Sequence, residues 1–144
     1  MVEQKRDEPR PFEKSCKFFQ KPIDFYIIKR GNCMSKSIVY FARHFPVTHN
    51  FEFKIGESSR GLKRQKDSGF PKNFIIEEYY ETPIETKSYR LLVESWLRFQ
   101  IENIYNCKRI GTDTFVAKNY NTVLKIQKSF LNMCEYANNV IQNN

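Results

Sequence analysis

An α+β domain built on a small antiparallel or mixed sheet of three strands, flanked by helices and closed by a C-terminal helix, is what this sequence predicts. Three observations carry that expectation. Short β-forming runs stand at 23–28, 51–56 and 73–80, the second with Phe51, Phe53 and Ile55 in strict alternation. Two stretches, 84–106 and 121–141, contain no Gly or Pro and place apolar residues at steps of three and four. Strands and helices alternate without an internal repeat, and 144 residues is the length of one domain.

Taken in order, residues 1–20 mix Lys, Arg, Glu and two prolines without a period and are expected to be a flexible basic arm ahead of a domain over 21–144. Ile23-Asp24-Phe25-Tyr26-Ile27-Ile28 is the first expected strand, ended by Arg30-Gly31-Asn32. In residues 34–45, Ile38, Phe41, Ala42 and Phe45 share the spacing of one helical face, so a short helix closed by Pro46 is expected. Phe51–Gly56 forms the second strand. Ser58 and Ser59 offer a hydroxyl cap to a helix through Arg60, Lys63 and Arg64, stopped by Gly69 and Pro71. The third strand runs over 73–80 to Thr82-Pro83. The long helix over 84–106 carries Val93, Trp96, Leu97, Ile101 and Ile104 as its apolar stripe, with Trp96 a core anchor. A short extended piece ends at Phe115-Val116, and the last helix turns Val123, Ile126, Phe130, Cys134, Ala137 and Ile141 inward.

Composition narrows the function. Hydrophobic residues make up 40 % of the chain and aromatics 15 %, enough for a core. No apolar run reaches the roughly 18–20 residues of a membrane span, and the charged start is unlike a signal peptide. An intracellular protein, cytoplasmic or nuclear, is expected. Lys and Arg number 24 against 16 Asp and Glu, a net charge of +8 that favours polyanions. Cys16, Cys33, Cys107 and Cys134 form no CxxC pair and fit reduced thiols; His44 and His49 fit surface positions.

One constellation suggests chemistry. The junction after Lys54-Ile55-Gly56 exposes backbone N–H groups and gathers Lys54, Arg60, Lys63 and Arg64, a basic cluster suited to phosphate. A guanidinium at Arg64 can clamp a phosphodiester through two parallel hydrogen bonds. Glu94 lies at the edge of the long helix's apolar stripe, where a half-buried carboxylate can hold a hydrated Mg²⁺. The competing account is structural: Arg90, Glu94, Arg98 and Glu102 stand at i, i+4 steps and suit an exposed salt-bridge row.

DFYII at 24–28, FKIGES at 53–58, KR at 63–64, ESWL at 94–97 and RIGTDTF at 109–115, in that order, resemble the GIY-YIG nuclease superfamily over residues 23–117. The likeness is to the phage- and virus-type branch found beside Bro-type domains. It implies a metal-dependent endonuclease that hydrolyses DNA phosphodiesters with Mg²⁺ or Mn²⁺. By the same resemblance Tyr26 matches the first-strand tyrosine that acts on the attacking water, Arg64 the arginine on the scissile phosphate, and Glu94 the metal ligand. Lys54, Arg60 and Lys63 are the accompanying phosphate contacts, and the terminal polar residue of the pattern is either Asn119 or Asn121. The sequence departs from the family at three places: residues 29–50 form an insertion between the first two strands, Phe53 stands for a tyrosine, and Asp113 for a glutamate. Sequence specificity of such a nuclease would come from the arm, the insertion or a protein partner. The alternatives are a binding module of the same fold that grips nucleic acid without cutting and a scaffold that docks through helix 121–141.

Overall fold

The computed structural model describes residues 36–46 and 51–143. The expected arm at 1–20, the strand at 23–28 with Tyr26, Cys16 and Cys33, and His49 lie outside the described residues. Among those described, the elements are β1 (Ile38–His44), β2 (Glu52–Ser58), a short 3₁₀ helix (Gly61–Lys66), β3 (Phe74–Glu81), α1 (Lys87–Asn103), β4 (Lys108–Arg109), β5 (Thr114–Val116) and α2 (Tyr120–Gln142).

The architecture is α+β, and the sheet is larger than the three strands expected. Five strands pair antiparallel in the order β3-β1-β2-β5-β4. The central strand β1 comes from residues expected as a helix inside an insertion. Its burial explains the difference. Ile38, Val39, Tyr40, Phe41 and Ala42 are all buried, so the strand is covered on both faces and loses the alternation that marks a half-exposed one. β-branched and aromatic residues then decide for a strand over a helix.

One apolar cluster gathers Val39 and Phe41 of β1, Phe53 and Ile55 of β2, and Phe115 of β5 with Val93, Leu97 and Ile101 of α1 and Val123, Ile126, Phe130, Cys134 and Ala137 of α2. Both helices therefore use the apolar stripes visible in their sequences. Three aromatic rings continue through the sheet, Phe53 stacking on Phe41 at 5.5 Å and on Phe115 at 5.4 Å between centroids. The residue in place of a motif tyrosine is thus a core residue, where a hydroxyl would need a buried partner.

Helix α1 starts at Thr86, whose hydroxyl accepts the Tyr89 N–H at 3.2 Å, and ends sooner than expected. Asn106 takes φ 56°, the left-handed conformation that commonly ends a helix, and the Cys107 N–H turns back to the Ile101 carbonyl. Ile104 lies beyond the last helical residue and is 64 % exposed, a correction to its expected place in the stripe. Trp96 is half-buried, packed on the core and edge-on to Phe99 and Tyr136. Cys107 and Cys134 are free and buried; burial pushes the Cys107 thiol up to about 11 and that of Cys134 higher than its ordinary range. No helix among the described residues is long and apolar enough to cross a membrane.

Candidate functional site

The site grows from one strand pair. In the β1–β2 register Tyr40 stands opposite Gly56. The tyrosine ring lies across the glycine backbone, over the place a Cβ would occupy: Cε1 is 3.0 Å from that point, and Cζ and Oη are nearer. Gly56 is therefore needed for its missing side chain. The phenol is directed over β2 toward the segment that follows it.

That segment is a six-residue 3₁₀ helix and not the longer helix expected, and Ser58 belongs to β2. Gly61 opens it with φ 60°, a conformation that side chains disfavour. Ser58 keeps a capping role nearby, its hydroxyl accepting the Arg60 N–H at 2.9 Å. Gln65 fastens the 3₁₀ helix to β3 by accepting from the Ile76 N–H at 2.8 Å and donating to the Phe74 carbonyl at 2.9 Å. Those two bonds fix the position of the neighbouring Arg64. Its guanidinium lies 5.3 Å from the Phe70 ring centroid, close enough to the Tyr40 hydroxyl for its positive charge to act on it.

Carboxylates complete the group. Glu94 is buried on α1, with Oε1 accepting from Arg98 Nη1 at 2.8 Å. Asp113 is drawn in because the Ile55 N–H donates to its carbonyl at 3.0 Å and Lys54 Nζ forms an ion pair with its carboxylate. Both carboxylates lie within electrostatic reach of the Tyr40 hydroxyl. Burial holds that hydroxyl well above the ordinary tyrosine range, opposed by Arg64 and reinforced by Asp113 and Glu94. Burial also raises the Glu94 carboxyl, opposed by the Arg98 hydrogen bond and charge and reinforced by Glu57 and Asp113.

Of the residues expected from sequence, Arg64 and Glu94 both lie within electrostatic reach of one tyrosine hydroxyl. Tyr26 lies outside the described residues. Among the described residues the tyrosine within their reach is Tyr40, which the apolar spacing of 34–45 places in a helix. The Ile38–Ala42 run of β-branched and aromatic residues was the signal that could have found it. Lys54, expected on phosphate, is 5 % exposed and engaged by Asp113. Arg60 is open to solvent and paired with Asp67 at 3.0 Å, and Lys63 is half-buried on the 3₁₀ helix. Asn119 is the N-cap of α2, its Oδ1 accepting from the Thr122 N–H at 2.9 Å, while Asn121 is exposed on the helix's first turn.

The exposed salt-bridge row does not form as spaced. Glu94 and Arg98 pair, but Arg90 is buried and gives Nε to Glu57 at 2.6 Å and Nη1 to the Ser37 hydroxyl at 3.0 Å. Glu102 pairs with Arg109 instead. Arg90 thus ties α1 to the β2 end that carries the site.

A divalent cation, implied by the resemblance above, can be tested against these residues. No group of three His, Cys, Asp or Glu residues capable of holding a metal occurs among the described residues. Mg²⁺ asks for less, since it keeps several waters and is commonly held by one or two carboxylates. Glu94 supplies a hard oxygen donor whose charge is poorly solvated and only singly paired, so the residues fit a hydrated cation on that one carboxylate. No protein-family model matches this chain, and comparison with curated proteins and with solved structures finds no match either.

Proposed function

We propose that this chain is a divalent-metal-dependent endonuclease acting on DNA phosphodiesters, with Tyr40, Arg64 and Glu94 as its catalytic residues. The observation that carries the proposal is their proximity: a guanidinium and a buried carboxylate from two other elements lie within electrostatic reach of a phenol whose ring fills the space left by a glycine. The motif order that resembles GIY-YIG nucleases supports the same chemistry, with Tyr40 taking the part first assigned to Tyr26.

Arg64 offers a planar fork of N–H donors beside the Tyr40 hydroxyl, suited to a phosphate oxygen. A tyrosine is protonated at neutral pH and burial raises Tyr40 further, so the free protein holds it as a neutral hydroxyl. It orients a water or phosphate oxygen, and yields its proton only when positive charge gathers beside it. Glu94 would hold Mg²⁺ or Mn²⁺, which supplies Lewis-acid polarisation of the phosphate. The net charge of +8 draws the polyanion to the surface. Sequence preference would come from elsewhere, a protein partner being one source.

Supercoiled plasmid incubated with the full chain should convert to nicked circles with Mg²⁺ or Mn²⁺ and stay intact with chelator. Arg64→Ala should stop nicking and also weaken duplex binding, because its guanidinium serves the bound substrate as well as the transition state. A second reading, a binding module that does not cut, is favoured by one observation: Glu57, Glu94 and Asp113 each already have a basic partner in Arg90, Arg98 and Lys54. Duplex binding without nicking under either metal would select it.

A further inference from the structure

Two of the basic residues at this site converge on one anion of the chain itself. Arg60 Nη2 lies 3.0 Å from Asp67 Oδ1 and Arg64 Nη1 lies 3.5 Å from Asp67 Oδ2, so each carboxylate oxygen faces a different guanidinium. Asp67 is held in place by its backbone. Its N–H donates to the Arg64 carbonyl at 3.1 Å, closing the 3₁₀ helix, and its carbonyl accepts the Phe70 N–H at 3.0 Å. The Phe70 ring lies against the Arg64 guanidinium and 5.9 Å from the Tyr40 ring. The arginine that reaches the Tyr40 hydroxyl is therefore bordered by an aromatic ring and by a carboxylate it shares with Arg60.

A carboxylate bridging two guanidiniums offers two acceptor oxygens and one negative charge, which is also what the non-bridging oxygens of a phosphodiester offer. We propose that Asp67 is an internal competitor for phosphate: it holds Arg60 and Arg64 in the free protein and is displaced when a nucleic-acid phosphate takes them. This rests on Arg64 being a phosphate-gripping residue and adds what regulates its grip. The arrangement suits exchange. The Arg60 side chain is 58 % exposed and those of Arg64 and Asp67 are each 27 % exposed, so water and salt already weaken the pairs. Asp67 thereby lowers affinity for any polyanion and keeps the two arginines together for one that fits both.

The decisive comparison is Asp67→Asn against the wild-type chain, with a fluorescent DNA duplex titrated across a salt series. Asn preserves size and backbone bonds while removing the charge. Competition predicts tighter binding, roughly three- to tenfold at low salt, and a slope of log affinity on log salt steeper by about one counterion. Adding Arg60→Gln to Asp67→Asn should return affinity toward the wild type. Weaker binding by Asp67→Asn would make Asp67 a positioning residue for Arg64 and overturn the proposal, as would unchanged binding. Failure of Asp67→Asn to fold would overturn it too, because a displaceable group is not a determinant of the fold. Inorganic pyrophosphate supplies a second readout by thermal shift, and should raise the melting temperature of Asp67→Asn more than that of the wild type. If neither protein bound duplex, the nucleic-acid reading would fail while pyrophosphate still decided the role of Asp67. If Asp67→Asn bound more tightly but no protein nicked plasmid, the nuclease would fail and the competitor would stand.

Discussion

Replacing Glu94 with Gln should reduce metal-dependent nicking by a factor of about 10² or more, the scale set by loss of one main electrostatic stabiliser, while leaving the chain at least as stable. The two effects have one cause. Glu94 is desolvated on α1 and faces Glu57 and Asp113, so its carboxyl is raised above the ordinary value of 4.5. The folded chain therefore takes up that proton more readily than the unfolded chain, and keeping Glu94 ionised at neutral pH works against folding. Gln carries no charge to desolvate. Its melting temperature should equal or exceed that of the wild type at pH 7, and the advantage should shrink as pH falls through the raised folded-state value and be gone below about 4.5, where the wild-type carboxyl is protonated in both states. Arg98 loses a partner but sits near the surface, where such a pair contributes under about 1 kcal/mol. A structural salt bridge would give the reverse pattern: slightly lower stability and unchanged nicking.

Gly56→Val should be the most damaging single substitution in the sheet, costing more than about 3 kcal/mol, at or beyond the upper end for an overpacked core. The Tyr40 ring occupies the space of any new Cβ and has nowhere to go: Tyr40 is 1 % exposed and its ring packs on Phe70. Gly56→Ala is the more informative change. It introduces only the first carbon, so the folded chain should survive with a lower melting temperature. The ring must still move from its place near Arg64, and nicking should fall further than the loss of folded protein explains. Circular dichroism melts alongside nicking at a temperature well below the transition separate the two contributions. Alanine accepted with no loss in either would mean that the ring does not lie over Gly56.

How far the fold was legible follows from which residues face water. β3 and both helices were recovered because each has a wetter face, leaving a period of two or of three to four in the apolar residues. β2 was recovered because its second face, though largely buried, carries Glu52, Lys54, Gly56 and Ser58 and keeps the alternation. The inward set Val123, Ile126, Phe130, Cys134 and Ala137 of α2 is the clearest case. β1 was hidden by burial on both faces, where Ile38, Phe41, Ala42 and Phe45 match a helical face by coincidence. Tyr40 was lost with it, since the helix expected within 34–45 is this strand. Length limited the segment after Gly56: Arg60 to Lys66 is too short for periodicity to separate a 3₁₀ turn from an α-helix.

Within the site, the charges of Arg64 and Glu94 were legible but their partners were not. Lys54 was expected on phosphate because a basic side chain near a strand end is normally solvated. Antiparallel pairing of β2 with β5 instead brings it to Asp113, 59 positions along the chain. Arg90 likewise left the helical row for Glu57 on β2, since the β2 end packs under α1. Sequence spacing along one helix cannot anticipate a partner presented by a neighbouring strand.

Nicking of supercoiled plasmid by Tyr40→Phe beside Tyr26→Phe, both as full chains with Mg²⁺, decides whether Tyr40, Arg64 and Glu94 form one catalytic site. Each substitution removes a single hydroxyl and keeps the ring, so folding is preserved and the readout is chemistry. Tyr40→Phe should nick at least about 10²-fold more slowly than the wild type, the lower end for loss of a positioned acid or base, and Tyr26→Phe should nick at close to the wild-type rate. Full activity in Tyr40→Phe together with loss of activity in Tyr26→Phe would contradict the account and return the catalytic tyrosine to residue 26.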